Sequence, residues 1–442
     1  MLAITSTTLV PTRHALAWQG PYDYAVIEID TLGGLIGEGR GINEFGVVTG
    51  GGSTGQWLHA FTWSSGTLTD MGVLDPHPGS KGQEINNFGW IAGGSGAYNP
   101  IEMATLWKDG EIISLGTLGG DNSHAFGIND SGQVVGKAEI TPGDYTRWPF
   151  IWQDGVMTAL EIFPNAEDRG GEAWDINNLG EAVGFAAPET GSQHAVMWTA
   201  AGELVDLTEQ NQTGEAYGIN DLSEVVGFNE RSWATLWRNG QQININDGSL
   251  SSYSRAYAIN NSSEVIGYYI HWLTDDPHAF VWTEQAGLKT LEDLIAPQSG
   301  WELAYALDIN DFGLIVGYGM HADLQRAFVA TPVNPTIQLT NAHPGVAGQV
   351  NGIRASGLQP GTKVYFCWSG QGGGTLIPDC DVTVNALQLE NPTVAGSAIA
   401  DANGRATLKG NVPRNVSGKT LLFQAVIPSS CEISNLVVQT FE

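Results

Sequence analysis

One ten-residue phrase occurs seven times in this chain and constrains its fold more than any other feature. The copies are GINEFGVVTG (41–50), EINNFGWIAG (84–93), GINDSGQVVG (127–136), DINNLGEAVG (175–184), GINDLSEVVG (218–227), AINNSSEVIG (258–267) and DINDFGLIVG (308–317). Their asparagines, Asn43, Asn86, Asn129, Asn177, Asn220, Asn260 and Asn310, recur every 40 to 50 residues. A period in the forties made of strands is the signature of a β-propeller, where each blade takes about 40–45 residues.

Each unit has four parts. A small residue stands three positions before the Ile: Gly39, Gly82, Ala125, Ala173, Ala216, Ala256 and Ala306. This marks the innermost strand, where converging units leave room only for small side chains. The turn follows, with Asn or Asp bonding the local backbone and Gly supplying a positive φ. Runs such as VVG and VIG form the second strand, and segments such as HAFTW (59–63) and HAVMW (194–198) the third. Pairs such as Asp109-Gly110 and Asn239-Gly240 favour two-residue hairpins into a fourth strand. The seventh unit ends at AFVATPVNP (327–335) without a fourth strand, while YAVIEIDTLGG (24–34) stands alone before the first unit. The N-terminal strand is therefore expected to complete the last blade. The reading is an all-β chain: an N-terminal extension (1–23), a seven-bladed β-propeller (24–334) closed by its N-terminal strand, and a second module (335–442).

With those motifs in view, the repeats resemble the HAF-type extracellular repeat family, named for the His-Ala-Phe triplet found here at 59–61, 124–126 and 278–280. The resemblance covers roughly residues 24–333; units two, five and seven depart from the triplet. It implies a bacterial, extracellular setting and carries no catalytic residue set.

After Pro335 the period stops. Segments 336–342, 348–357, 363–368, 381–389, 405–412, 420–426 and 434–441 read as short strands between turn residues, which suggests an Ig-like β-sandwich. It is similar to the terminal sandwich modules of secreted bacterial proteins. All three cysteines lie here. Cys380 and Cys431 fall at strand or loop ends and are the favoured disulfide pair, with Cys367 a buried thiol; sequence alone leaves three pairings open.

The formal charge of −29, from 47 acidic and 18 basic residues, repels phosphate backbones and excludes nucleic acid as a partner. No stretch approaches the roughly 18–20 apolar residues of a membrane helix. The first twelve residues do not make a convincing signal peptide. The extracellular location rests on the resemblance and the expected disulfide.

Candidate sites fall in loops where the units differ, because function on a constant scaffold belongs to variable loops. Candidate ligand-binding residues are His77, Arg169, Tyr269, His271, Trp272, Trp301 and His321. The carboxylate pairs Glu167/Asp168 and Asp275/Asp276 are candidate ligands for calcium, the one cofactor left open, although adjacent acids are often only solvated. Trp57, Trp272, Trp301 and Tyr145 are placed to stack on sugar rings or to pack loops together. An acid–base enzyme would pair His77, His271 or His321 with Arg169 or Tyr269. No His-Glu-x-x-His or sialidase-type box is present, and no catalytic residue is assigned. The repeated His59, His194 and His278, and the Trp residues ending the third strands, read as structural. The expected function is a secreted, non-catalytic propeller for extracellular binding, adhesion or surface and fibre assembly, with a glycan or a second copy (through the sandwich) as partner. The alternative is an extracellular polysaccharide lyase or hydrolase.

Overall fold

The structure, a computed structural model, describes residues 24–96, 102–208, 212–246, 253–333, 337–377, 380, 386–401 and 404–442. The extension 1–23, the module boundary at 334–335 and the start of the strand expected at 381–389 lie outside the described residues. The regular structure of the described chain is almost entirely strand, with two short 3-10 turns at Leu291–Leu294 and Arg414–Val416.

Seven four-stranded antiparallel sheets follow one another along residues 24–332. The first is Gly37–Ile42, Val48–Ser53, Leu58–Ser64 and Thr67–Gly72, each strand paired with its sequence neighbour. Sheets two to six repeat that meander. The seventh takes Trp301–Ile309, Ile315–His321 and Leu324–Pro332 from the end of the repeats and Tyr24–Ile29 from the beginning. Tyr24 pairs with Pro332 and Ile29 with Ala327, so the first strand does complete the last sheet.

The first strands lie side by side, each against the next, and the seventh against the first. Asparagine side chains tie this ring. Each turn asparagine donates from Nδ2 to the backbone carbonyl of its counterpart in the next sheet at 3.0–3.1 Å, and Asn310 donates back to Asn43. The same side chains accept local amide protons, as Asn43 Oδ1 does from Phe45 and Val47. All seven are buried, so unmade bonds here would cost about 1–3 kcal/mol each. The small residues three positions before each Ile sit where space is short: a Cβ on Gly39 would lie 2.4 Å from Val316 Cγ2. The arrangement is propeller-like.

Trp63, Trp107, Trp152, Trp198, Trp237 and Trp282 are buried between sheets. Two of the repeated histidines tie third strand to fourth: His59 Nδ1 lies 2.9 Å from Asp70 and His194 Nδ1 2.8 Å from Asp206. His278 Nδ1 lies 3.5 Å from Glu292 in the 3-10 turn after the fourth strand.

The C-terminal module pairs Gln338–Leu339, Val350–Ser356 and Arg405–Asn411 in one sheet. A second sheet contains Thr393–Ile399, Lys363–Ser369, Thr420–Ile427 and Glu432–Ile433, with Val437–Thr440 also on Thr420–Ile427. Two strands longer than two residues escaped the sequence reading. Gly372–Leu376 looks like a glycine-rich loop, and Thr393–Ile399 carries mostly exposed side chains. The hairpin of Gly372–Leu376 and Ala386–Leu389 lies on the outer strand of the seventh sheet, where Gln388 Nε2 donates to the Tyr24 carbonyl at 3.1 Å. One apolar core runs through this contact, from Ile27, Ile29 and Val329 to Leu387, Leu422 and Ile433. Cys380 and Cys431 form a disulfide and Cys367 is a buried free thiol.

Candidate functional site

In every first strand the ladder skips one residue. Ala125 pairs with Gly136 and Gly127 with Val135, leaving Phe126 unmatched. The skipped residues are Arg40, Gln83, Phe126, Trp174, Tyr217, Tyr257 and Leu307. A bulge sets two residues against one and re-aims a side chain. Here it sets a column in which the copies disagree beside its neighbours around the ring.

Those side chains build a continuous wall. Ring centroids lie 4.6 Å apart for His124–Phe126, 4.1 Å for Phe126–Trp174, 5.8 Å for Trp174–Tyr217 and 5.3 Å for Tyr217–Tyr257. The series continues through Tyr257–Tyr268 at 5.6 Å, Tyr268–Tyr305 at 4.7 Å and Tyr305–Tyr318 at 4.8 Å. It spans sheets three to seven, and most of its members are half-buried.

Sheets one and two contribute charge instead. Arg40 donates to Glu38 at 3.0 Å and to Gln83 at 3.1 Å, and Lys81 donates to Glu38 at 2.8 Å. Gln83 Nε2 is 2.8 Å from His124 Nε2, whose ring reaches Glu102 at 2.8 Å through Nδ1. Burial works to raise the Glu38 carboxyl, but Lys81 and Arg40 together outweigh it and hold it below the usual range. Lys137 and Arg147 both hold Glu172, at 3.1 and 3.3 Å. An aromatic arc faces a network of paired charges.

The turn end of the axis is acidic. A pocket of about 160 Å³ is lined by the turn asparagines and by Glu84, Asp175 and Asp308. Asp308 accepts the Ile42 and Ile309 amides at 2.7 and 2.8 Å, and Asp175 accepts those of Ile219 and Ile176 at 2.9 and 2.7 Å. Burial nevertheless raises Asp308 to about 7 and Asp175 to about 6, and raises Glu84 well above its ordinary value. At the rim stand Glu44, Asn87, Asp130, Asn178, Asp221, Asn261 and Asp311. Each amide among them donates to the next aspartate: Asn87 to Asp130 at 2.8 Å, Asn178 to Asp221 at 3.2 Å, Asn261 to Asp311 at 2.9 Å. At the seam, Asp311 meets Glu44 and offers it only a backbone N–H, at 3.1 Å.

The residues singled out from the sequence are dispersed around the ring. His271, Tyr269 and Trp272 share one hairpin, with Tyr269 buried against His278 and its hydroxyl 2.9 Å from Thr290; Trp272 is exposed. Trp301 is buried, stacked flat on His321 at 4.7 Å, and His321 pairs with Glu28. Arg169 donates to the Gly191 carbonyl at 2.8 Å and, with Asp168 and Tyr145, lines a cavity of about 490 Å³. His77 lies apart, in the loop after the first sheet. Glu167, Asp168, Asp275 and Asp276 are exposed. Among the described residues, no three His, Cys, Asp or Glu side chains gather where a metal ion could be held.

Fold and site together define a propeller-like all-β protein whose first strands carry an aromatic arc beside a network of paired charges. No protein-family model matches the chain, and no curated protein matches it. Among solved structures it is similar to a fungal alcohol oxidase of the AA5 family in complex with copper, at 11% identity and a TM-score of 0.41, covering 96% of this chain and 100% of that one. It is also similar to a protein assigned as a gluconolactonase, at 8% identity and a TM-score of 0.35, covering 70% of this chain and 93% of the other. At those scores neither likeness carries a conclusion about this chain. No helix among the described residues is long and apolar enough to cross a membrane.

Proposed function

We propose that the protein is a secreted, non-catalytic binding protein of the cell exterior. Its seven repeats form a seven-bladed propeller of the HAF type, and its C-terminal module is an Ig-like sandwich used for spacing or assembly. Extracellular glycan is the ligand class. The disulfide is consistent with an oxidising compartment. The observation that carries the reading is the skipped column of the first strands. Seven otherwise repetitive units place Arg, Gln, Phe, Trp, Tyr, Tyr and Leu there, and we infer that those side chains line an axial opening. Half-buried aromatic faces beside paired charges suit the C–H face and hydroxyls of a sugar ring.

The competing reading is a carbohydrate-active enzyme acting at the same opening, with Tyr217 as its natural base. Burial, reinforced by Glu215, pushes that hydroxyl's pKa up, which is the wrong direction for a base. A glycan array followed by calorimetry tests the binding reading. Wild-type protein is expected to retain a subset of glycans, and Trp174→Ala to weaken them by about ten-fold or more, with the melting temperature used to confirm folding. Turnover of acidic polysaccharide, read as absorbance from an unsaturated uronate, would instead establish the enzyme. Electron microscopy of the purified chain tests assembly through the sandwich; a strict monomer would remove that part.

A further inference from the structure

One cation of the opening is held differently from the rest. Arg40, Lys81, Lys137 and Arg147 each sit on a carboxylate. Arg255 does not: among the described residues none of its ion-pair partners is a carboxylate. It lies over Phe228, with its guanidinium carbon 4.0 Å from the ring centre, and is flanked by Tyr253 at 5.0 Å and Tyr217 at 5.6 Å. Its Nε donates to the Tyr253 hydroxyl and its Nη1 to the Tyr217 hydroxyl. The nearest acid, Glu215, is already taken: Oε2 accepts the Tyr217 hydroxyl at 2.7 Å and Oε1 accepts Gln193 Nε2 at 2.5 Å. Nη2 makes no hydrogen bond to any described residue. The result is a planar fork, fixed by one ring face and two hydroxyls, half-buried in the middle of the aromatic arc.

A guanidinium fixed in this way matches a carboxylate through two parallel N–H···O bonds, a geometry a mobile lysine does not offer. On this basis we infer that Arg255 is the carboxylate-recognising group of the opening and that the ligand is an acidic sugar, its ring against Trp174, Tyr217 and Tyr257 and its carboxylate on Arg255. The inference rests on the reading of the opening as a glycan site. The overall charge of −29 does not prevent it. Exposed charges more than about 10 Å away are largely screened at 0.1 M salt, whereas the contact with Arg255 is direct and partly desolvated.

The test is calorimetric titration of the full chain with trigalacturonate, with its methyl ester, and with a neutral trisaccharide. The acid is expected to bind about ten-fold or more tightly than its ester, and Arg255→Gln to abolish the difference while leaving residual ester binding. Arg255→Lys should recover only part of the preference, because it restores the charge without the fork. The acid–ester comparison uses wild-type protein and so does not depend on a variant folding. Equal affinity for acid and ester would overturn the role of Arg255 and leave the glycan reading standing. An absence of binding to all three, and to any member of the wider array, would overturn both.

Discussion

At the scale of single residues, the rim of the acidic end makes the most specific demand. Each rim aspartate receives a side-chain amide from the preceding sheet, but Glu44 receives only the Asp311 backbone N–H. Burial and the facing Asp311 carboxylate, with smaller contributions from Asp308 and Asp130, raise Glu44 to about 7. A carboxyl that holds its proton more tightly when folded contributes fully at pH values below its ordinary 4.5, and loses that contribution as pH rises through about 7. Asp308 and Asp175, raised to about 7 and about 6, act in the same direction. The protein is therefore expected to melt at a higher temperature at pH 5 than at pH 8. Glu44→Gln keeps the acceptor, adds a donor for Asp311 and should recover about 1–3 kcal/mol at pH 8 with little effect at pH 5. Calorimetric melts of both proteins at the two pH values check this; a variant that follows wild type at both would refute it.

At the scale of elements, much of the fold was legible because the sequence repeats it. The Ile-Asn turns, the small inner residues, the Trp-ended third strands and the Tyr24–Ile29 strand that precedes the first unit all lie where their chemistry indicated. The site was less legible. Strand reading assumes strict alternation, so nothing marks Trp174 or Tyr217 as skipped from the ladder until the pairing is seen. A signal did exist: between an invariantly small residue and the Ile-Asn turn lies a column whose size, charge and aromaticity change in almost every copy. Loops attracted attention instead because they vary in length. The Gly372–Leu376 strand was hidden by its glycines, which are there for contact. A Cβ on Gly374 would lie 2.2 Å from the Val26 carbonyl oxygen. Gly374→Val should push the hairpin off the seventh sheet and cost about 1–3 kcal/mol by overpacking. Limited proteolysis should then separate the two modules faster than in wild type; unchanged cleavage would argue against the contact.

At the scale of the whole molecule, the shared core makes the C-terminal module part of the ring's closure. Ile27 and Ile29, on the strand that completes the seventh sheet, pack in the same cluster as Leu387 and Leu422. The Cys380–Cys431 bridge spans 51 residues of that module, and a loop of this length is stabilised by about 4 kcal/mol through restriction of the unfolded chain. Reduction should lower the melting temperature, as should the Cys380→Ala/Cys431→Ala pair, whereas Cys367→Ala should leave the response to reductant intact. A melt unaffected by reductant would show that the bridge restrains nothing the core does not already hold.

The rim has one further consequence, which is a matter of parity. Acid and amide can be coloured alternately around any ring with an even number of members, but seven places always bring two of one colour together. The Glu44–Asp311 contact is thus required by counting, and substitution elsewhere in the rim only moves it. Fusing or deleting one whole repeat would make the count even and let every carboxylate find an amide, whatever the ring then bound.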